Sequence, residues 1–284
     1  MTAIDREWIV KKTLFVLAMI TVLGVLLIVF FVARESIQAF TEAGPANLFG
    51  AEWKPKDGQY GMLVFIVGTL TTTAGGLLLG TPLAIGSAIF LTQMAPRRTR
   101  SIVTRGVELL AGIPSIVLGW LGLTVLVPWI RNFSNSAGTG ILAASIILAI
   151  MVIPTITTIS IDALEAVPRS HKEASLAMGA TRWQTIRRVL IPAAKPGLIV
   201  AVILGMGRAI GETMAVALVI GPASTFATSL TSPTHTMTTK ILIEMGESTG
   251  VQRSALFAMG VVLLLISMAL ILAVRMVTRE RKTA

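Results

Sequence analysis

Glu173-Ala174-Ser175-Leu176-Ala177-Met178-Gly179, then nine residues, then Val189-Leu190-Ile191-Pro192, form a basic, mostly polar island between two long apolar segments. His171 to Arg188 reads as helical. Glu173 falls in the first turn and Arg187 and Arg188 near the end, each charge placed to suit the helix dipole. Gly179 is costly inside a helix and is expected to break or bend it. Ala174, Ala177, Ala180 and Gly179 give a small-residue surface that a partner's cleft can accept. Pro192 and Pro196 are expected to stop the segment before the next apolar run. The island reads as a docking surface for a soluble partner. The alternative is a solvated connecting loop whose charges only set topology.

The rest of the chain explains why such a surface is needed. Of 284 residues, 54% are hydrophobic and 13% charged, against about 25% charged in ordinary soluble domains. Several apolar runs reach about 20 residues, the length of a membrane-crossing helix. The roughly 10-residue alternating segments of a membrane barrel are missing. The class is an all-α, multi-pass membrane protein. A net charge of +10 would point to nucleic acid in a soluble chain. Here basic loops that fix topology account for it, and no nucleic-acid partner is expected. The chain has no cysteine, which excludes disulfides, thiolate metal sites and a Cys nucleophile and leaves the redox compartment open.

Six spans are expected, at about 13–33, 62–91, 102–130, 140–161, 197–221 and 255–277. The second holds Gly75, Gly76 and Pro82; the third is broken by Gly112 and Pro114. The first reads as an uncleaved anchor. Its apolar run, Leu14 to Ala33, outlasts a signal-peptide core, and no small-x-small cleavage site follows. The chain divides into an anchor and outer loop (1–60), a transmembrane core (61–277) and a short tail (278–284).

Lys and Arg set the orientation. With the N-terminus inside, 17 basic residues fall in inner segments: Arg6, Lys11 and Lys12, then Arg97 to Arg105, then Arg169 to Lys195, then Arg275 to Lys282. Six fall outside: Arg34, Lys54, Lys56, Arg131, Lys240 and Arg253. That bias places both termini and the Glu173–Pro192 island in the cytoplasm. Two long outer loops follow, 34–61 and 222–254. The second turns apolar at Ile241-Leu242-Ile243, where a short re-entrant or interfacial helix is expected. Loops of this length are usually functional.

Glu-Ala-Ala, three residues, Gly, nine residues, then Ile-x-Leu-Pro is the pattern of ABC importer permeases. Glu173, Ala174, Gly179 and Pro192 keep its spacing, with Ser175, Val189 and Ile191 as mild departures. Glu108-Leu109-Leu110-Ala111-Gly112-Ile113-Pro114-Ser115 and Gly207-Arg208-Ala209-Ile210-Gly211-Glu212-Thr213-Met214-Ala215-Val216 resemble the phosphate-specific permeases of the PstC type within the binding-protein-dependent, MetI-like group. The likeness covers roughly residues 60–277. It implies the type I importer permease fold in a bacterial plasma membrane. It also implies a coupling helix at about 171–192 that seats on an ATP-hydrolysing subunit. The implied partners are a PstA-like companion permease, two ATP-binding subunits and an external phosphate-binding protein docked on loops 34–61 and 222–254.

Two charges stand in the fifth apolar run. Arg208 and Glu212 are four residues apart, so on a continuous helix they share a face. Each costs roughly 2.5–3.5 kcal/mol near the bilayer centre. Such residues normally face a bundle interior or a watery cavity. A guanidinium suits an oxyanion because its fork donates two parallel hydrogen bonds, and Glu212 would hold the Arg between transport events. The competing reading is a structural Arg208–Glu212 pair. Glu108, read as lying in the third span near its inner end, is a further pathway candidate or a partner of Arg105. Gly76-x-x-x-Gly80 and Gly207-x-x-x-Gly211 are weak packing motifs. His171 and His235 are expected in loops, neither as a buried base.

No Gly-x-x-x-x-Gly-Lys-[Ser/Thr] loop occurs, so ATP hydrolysis is expected in a partner, and no catalytic residue, cofactor or metal site is assigned. A secondary transporter would need internal repeats, and none is evident. An intramembrane enzyme would need paired carboxylates or a Ser/His set at depth. Sulfate, molybdate or another small solute stays open beside phosphate.

Overall fold

The computed structural model describes residues 3–279. Helices run in the order α1 (Ala3–Gln38), α2 (Pro45–Leu48), α3 (Leu63–Gln93), α4 (Arg97–Gly112), α5 (Ser115–Leu121), α6 (Val127–Phe133), α7 (Ile141–Glu165), α8 (Arg169–Ala177), α9 (Arg182–Thr185), α10 (Ile191–Gly211), α11 (Met214–Val219), α12 (Met237–Glu244) and α13 (Gly250–Arg279). Wider π turns at 122–126 and 186–190 join α5 to α6 and α9 to α10. A two-residue ribbon, β1 (Trp53–Lys54) against β2 (Gln59–Tyr60), folds the first outer loop. Six helical stretches are long and apolar enough to cross a membrane: 10–43, 63–93, 115–133, 141–165, 182–211 and 250–276. Of the expected tail, 280–284 lies outside the described residues.

The centre is the parallel pair α3 and α7, whose contacts advance together along both helices. Inside a bilayer, burying apolar surface gains little over lipid, so close packing must hold helices together. Small residues permit it. A Cβ on Gly76 would sit 2.7 Å from the Leu148 Cβ, and one on Gly80 would sit 2.7 Å from the Val152 Cγ2. The weak Gly76-x-x-x-Gly80 motif is therefore a true contact surface. Ser145 and Thr157 add hydroxyl bonds to the Thr72 and Ala84 carbonyls at 3.4 and 3.3 Å. α10 lies along the other side of α7, and α5 and α11 complete this core around Ile147, Val152, Ile156, Val216 and Val219. A second cluster, including Leu48, Trp53, Met62, Phe65, Met237 and Met259, ties the outer loops to α3 and α13. α1 packs mainly on α13 among the described residues, with Phe31 edge-on to Phe257 at 5.9 Å. Its remaining side, with Leu14, Phe15 and Phe30 all more than half exposed, suits lipid.

Two expected spans are corrected. The third starts at Ser115, because residues 97–112 form the separate amphipathic helix α4. Four arginines and Glu108 make α4 too polar to cross, and Pro114 forces Ile113 into an extended conformation, ψ 127°. The fifth span ends at Gly211, where Glu212 turns extended at φ −69°, ψ 129°. At the other end, Pro192 and Pro196 do not stop that span. It is continuous back to Arg182, the π turn at 186–190 making room for Pro192 and its missing N–H.

Candidate functional site

The island of residues 169–192 folds as two short helices around a turn. α8 follows Pro168, so Glu173 lies in its second turn and not in the first. Gly179 breaks the helix as expected, with φ +83°, a conformation that costs other residues a steric clash. Thr181 then caps α9 in a reciprocal box with Gln184. Ser175 bonds Thr185 across the turn at 2.9 Å, and Lys172 bonds Gln93 at the end of α3 at 2.9 Å. Glu173, Ala174, Gly179 and Pro192 are exposed. So is an apolar tip, with Met178 88% and Trp183 56% exposed. The result is a firm two-helix corner, anchored to the main span α3, that presents small and apolar side chains outward.

Arg208 lies deep. Gly197 abuts Ala163, and Gly205 abuts Ile156, with approaches of 2.5 and 2.6 Å for a Cβ at each glycine. This antiparallel register brings Arg208 level with Thr155, near the middle of the 25-residue α7. The guanidinium donates from Nη1 to Thr155 Oγ1 at 3.2 Å. Beside it, Gly207 and Gly211 are exposed, with nothing within 4 Å of where a Cβ would sit. The second small-residue motif therefore packs against nothing among the described residues. It leaves an open, side-chain-free strip next to the guanidinium.

Arg208 and Glu212 do not share a helix face and form no ion pair, because the helix ends between them. Glu212 Oε1 accepts from the Ala215 N–H at 3.2 Å, in the first turn of α11. Its carbonyl accepts from Thr238 at 3.0 Å. Glu108 is likewise not in a span. It is exposed on α4, on a shallow cavity of about 400 Å³ shared with Arg97, Arg100, Arg105 and Ile161, and it makes no ion pair with Arg105. Arg100 instead pairs with Glu165 at the end of α7.

Residues 80–283 match the family described as binding-protein-dependent transport system inner membrane components. The chain belongs to that family. This permease is 43% identical to the probable ABC transporter permease protein YqgH of Bacillus subtilis, over 93% of its own length and 88% of that protein's. It is 36% identical to the phosphate transport system permease protein PstC of Haemophilus influenzae, over 98% and 96%. A chain of a bacterial ABC transporter involved in the import of the polysaccharide alginate shares its fold, with TM-score 0.67 at 19% identity, covering 98% of this chain and 97% of that one. A chain of the inward-facing MetNI methionine ABC transporter does so with TM-score 0.60 at 22% identity, covering 81% and 99%. The multi-pass, all-α architecture is thus that of an ABC importer permease.

The permease also holds an outer polar cluster that its sequence had not singled out. The second outer loop does contain a short helix, α12, but it starts at Met237, ahead of the apolar Ile241, and buries its first half. Lys240, read from sequence only as an outer charge, is 5% exposed. It pairs with Glu244 at 2.5 Å and donates to Ser224 at 2.9 Å. Glu244 also accepts from Trp53 Nε1 at 2.9 Å and from Gln252 at 3.2 Å. The four-residue spacing of Lys240 and Glu244 was the available signal. His235 is in a loop as expected but is buried, contrary to expectation, and its Nδ1 has no hydrogen-bond partner. Burial, reinforced by the Lys240 charge and opposed by Glu244, lowers its pKa to about 4. The imidazole is neutral at pH 7.

Proposed function

We propose that this chain is one of two permease subunits of an ATP-driven importer of inorganic phosphate. One observation carries the substrate: an arginine in the last turn of α10 but level with the middle of α7, held by a neutral threonine instead of a carboxylate, beside a strip of glycine. An unpaired cation at that depth costs roughly 2.5–3.5 kcal/mol, a poor investment for packing alone. An oxyanion on the pathway gives it a purpose, and the guanidinium fork matches two phosphate oxygens. The likeness to the phosphate permease of Haemophilus influenzae supports the same substrate.

In this reading Arg208 attracts the anion and Glu212, anchored at the helix break, limits how long it stays, since a pathway must release what it binds. Glu108, with Arg97, Arg100 and Arg105, lines the inner approach. Both termini and the α8–α9 corner face the cytoplasm. Glu173, Ala174, Gly179 and Pro192 belong to the surface that couples to the ATPase. The partners are a PstA-like permease, two ATP-binding subunits that hydrolyse the nucleotide, and a phosphate-binding protein on the outer loops.

The test is phosphate uptake by the whole complex in proteoliposomes. Arg208→Ala is expected to lower the maximal rate by about tenfold or more, the worth of one charged hydrogen bond. Arg208→Lys, which keeps the charge and loses the fork, should fall between. Glu212→Gln should also slow uptake. Parental uptake by both Arg208→Ala and Glu212→Gln, with normal assembly, overturns the pathway role. Stimulation of ATP hydrolysis by sulfate with its own binding protein, and not by phosphate, overturns the substrate.

A further inference from the structure

α7 carries two sets of hydroxyls on two faces. Thr157 and, three residues on, Ser160 are buried, and Thr157 donates to the Ala84 carbonyl of α3. Thr155 and Thr158, also three apart and so neighbours on the helix surface, take the other face. Thr155 is half-buried and Thr158 exposed. Theirs is the face that Arg208 reaches.

Protons and lone pairs divide unequally between these two. The Thr155 oxygen accepts from Arg208, and its own proton has no acceptor among the described residues. Thr158 is the reverse. Its Oγ1 donates to the Pro154 carbonyl at 3.0 Å, so its proton is committed and its lone pairs stay open. From Arg208 toward the Glu165 end of α7, the open face therefore presents donors first, the guanidinium and the Thr155 hydroxyl. About 4.5 Å along the helix axis it presents an acceptor. Hydrogen phosphate has a matching pair of features: bare oxygens that take donors, and a P–OH that needs an acceptor. A fully deprotonated oxyanion such as sulfate has no proton to give, so Thr158 can hold it only by turning its own proton away from the Pro154 carbonyl.

We propose that Thr155 is the positioning residue of Arg208, and that Thr158 accepts from the protonated oxygen of phosphate as the anion moves on from Arg208. The proposal rests on the pathway reading of Arg208. It makes α7 a selectivity element of the permease, acting after the binding protein has released its cargo.

The experiment measures uptake of radiolabelled phosphate by the reconstituted complex with its binding protein, with assembly checked by co-purification of the ATP-binding subunits. Thr158→Val, near-isosteric but without the oxygen, is expected to lower the maximal rate about tenfold, the worth of one hydrogen bond to a charged ligand. The KM, set by the binding protein, should stay within about twofold. Thr158→Ser, which keeps the acceptor, should restore at least half of the rate. Thr155→Val should lower the rate in the same way and Thr155→Ser restore it. Thr124→Val is the control: Thr124 is exposed in another span and bonds its own helix at the Trp120 carbonyl, 2.9 Å, with no link to Arg208, and should transport normally. Parental uptake by Thr158→Val, an equal loss in Thr124→Val, or no rescue by serine overturns the proposal. If Thr158→Val does not assemble, Thr158→Ala repeats the test. An inactive Arg208→Ala beside a fully active Thr158→Val removes the Thr158 role and leaves the pathway standing; a fully active Arg208→Ala removes the pathway itself.

Discussion

Lys240 shows how far a residue's role depends on its surroundings. In a count of charges it is one of six outer cations. In the folded chain it lies over the rings of Phe65 and Trp53, at 5.2 and 5.5 Å, and is matched by Glu244. Removing one member of a buried pair leaves the other without compensation. Lys240→Met is therefore expected to destabilise the outer cap by about 2 kcal/mol, a lost charged hydrogen bond less the Trp53 and Gln252 bonds that Glu244 keeps. Adding Glu244→Gln should recover most of that loss. Thermal unfolding of the purified protein, followed by tryptophan fluorescence, reads both changes; a double variant as unstable as the sum of its two single variants refutes the coupling. Arg208 teaches the opposite lesson. Its identity and depth were legible in the chain, because a charge amid apolar residues stands out on any count. Its partner was not legible, because Thr155 is 53 residues away in sequence.

At the level of elements, breaks matter more than helices. Gly179 and Glu212 each end a helix, for different reasons. Gly179 adopts the left-handed conformation, so Gly179→Ala is expected to cost about 1–2 kcal/mol by steric strain alone. A Cβ there meets nothing within 4 Å, so the damage is to the angle between α8 and α9. The expected outcome is a complex that assembles, with ATP hydrolysis less responsive to loaded binding protein; unchanged stimulation counts against a coupling role for this corner. The break at Glu212 was not foreseen, since the apolar run continues unbroken past it to Gly221 and composition alone reads as one span. Tertiary contacts hold the break open: Thr238 from the second outer loop bonds the Glu212 carbonyl, and the Glu212 side chain bonds the Ala215 amide. α4 was misassigned for a related reason. Its Leu110, and Ile113 just past its end, pack on the main core, so the stretch mimics the start of a span although Pro114 separates it from one.

The whole molecule is a bundle of six membrane-length helices. Six crossings put both ends of the chain on one face of the membrane, and the proposal that this face is cytoplasmic rests on the bias of basic residues. Absence of cysteine makes the orientation testable without background. In intact cells, Met178→Cys should resist a membrane-impermeant thiol reagent and react only after lysis, whereas Lys56→Cys on the first outer loop should react at once; the reverse pattern inverts the assignment. The class, the number of spans, the break at Gly179 and the placing of Arg208 within an apolar run were all determined by sequence. They depend on local composition and spacing: apolar length against bilayer thickness, a glycine at a turn, a charge in an apolar run. Only the tertiary structure decided where the third and fifth spans stop, that Arg208 turns to Thr155 and away from Glu212, and that Lys240 is buried. Each of these depends on a neighbour far along the chain, and the free energy of burying a polar group is set by whether that neighbour supplies the matching donor or acceptor.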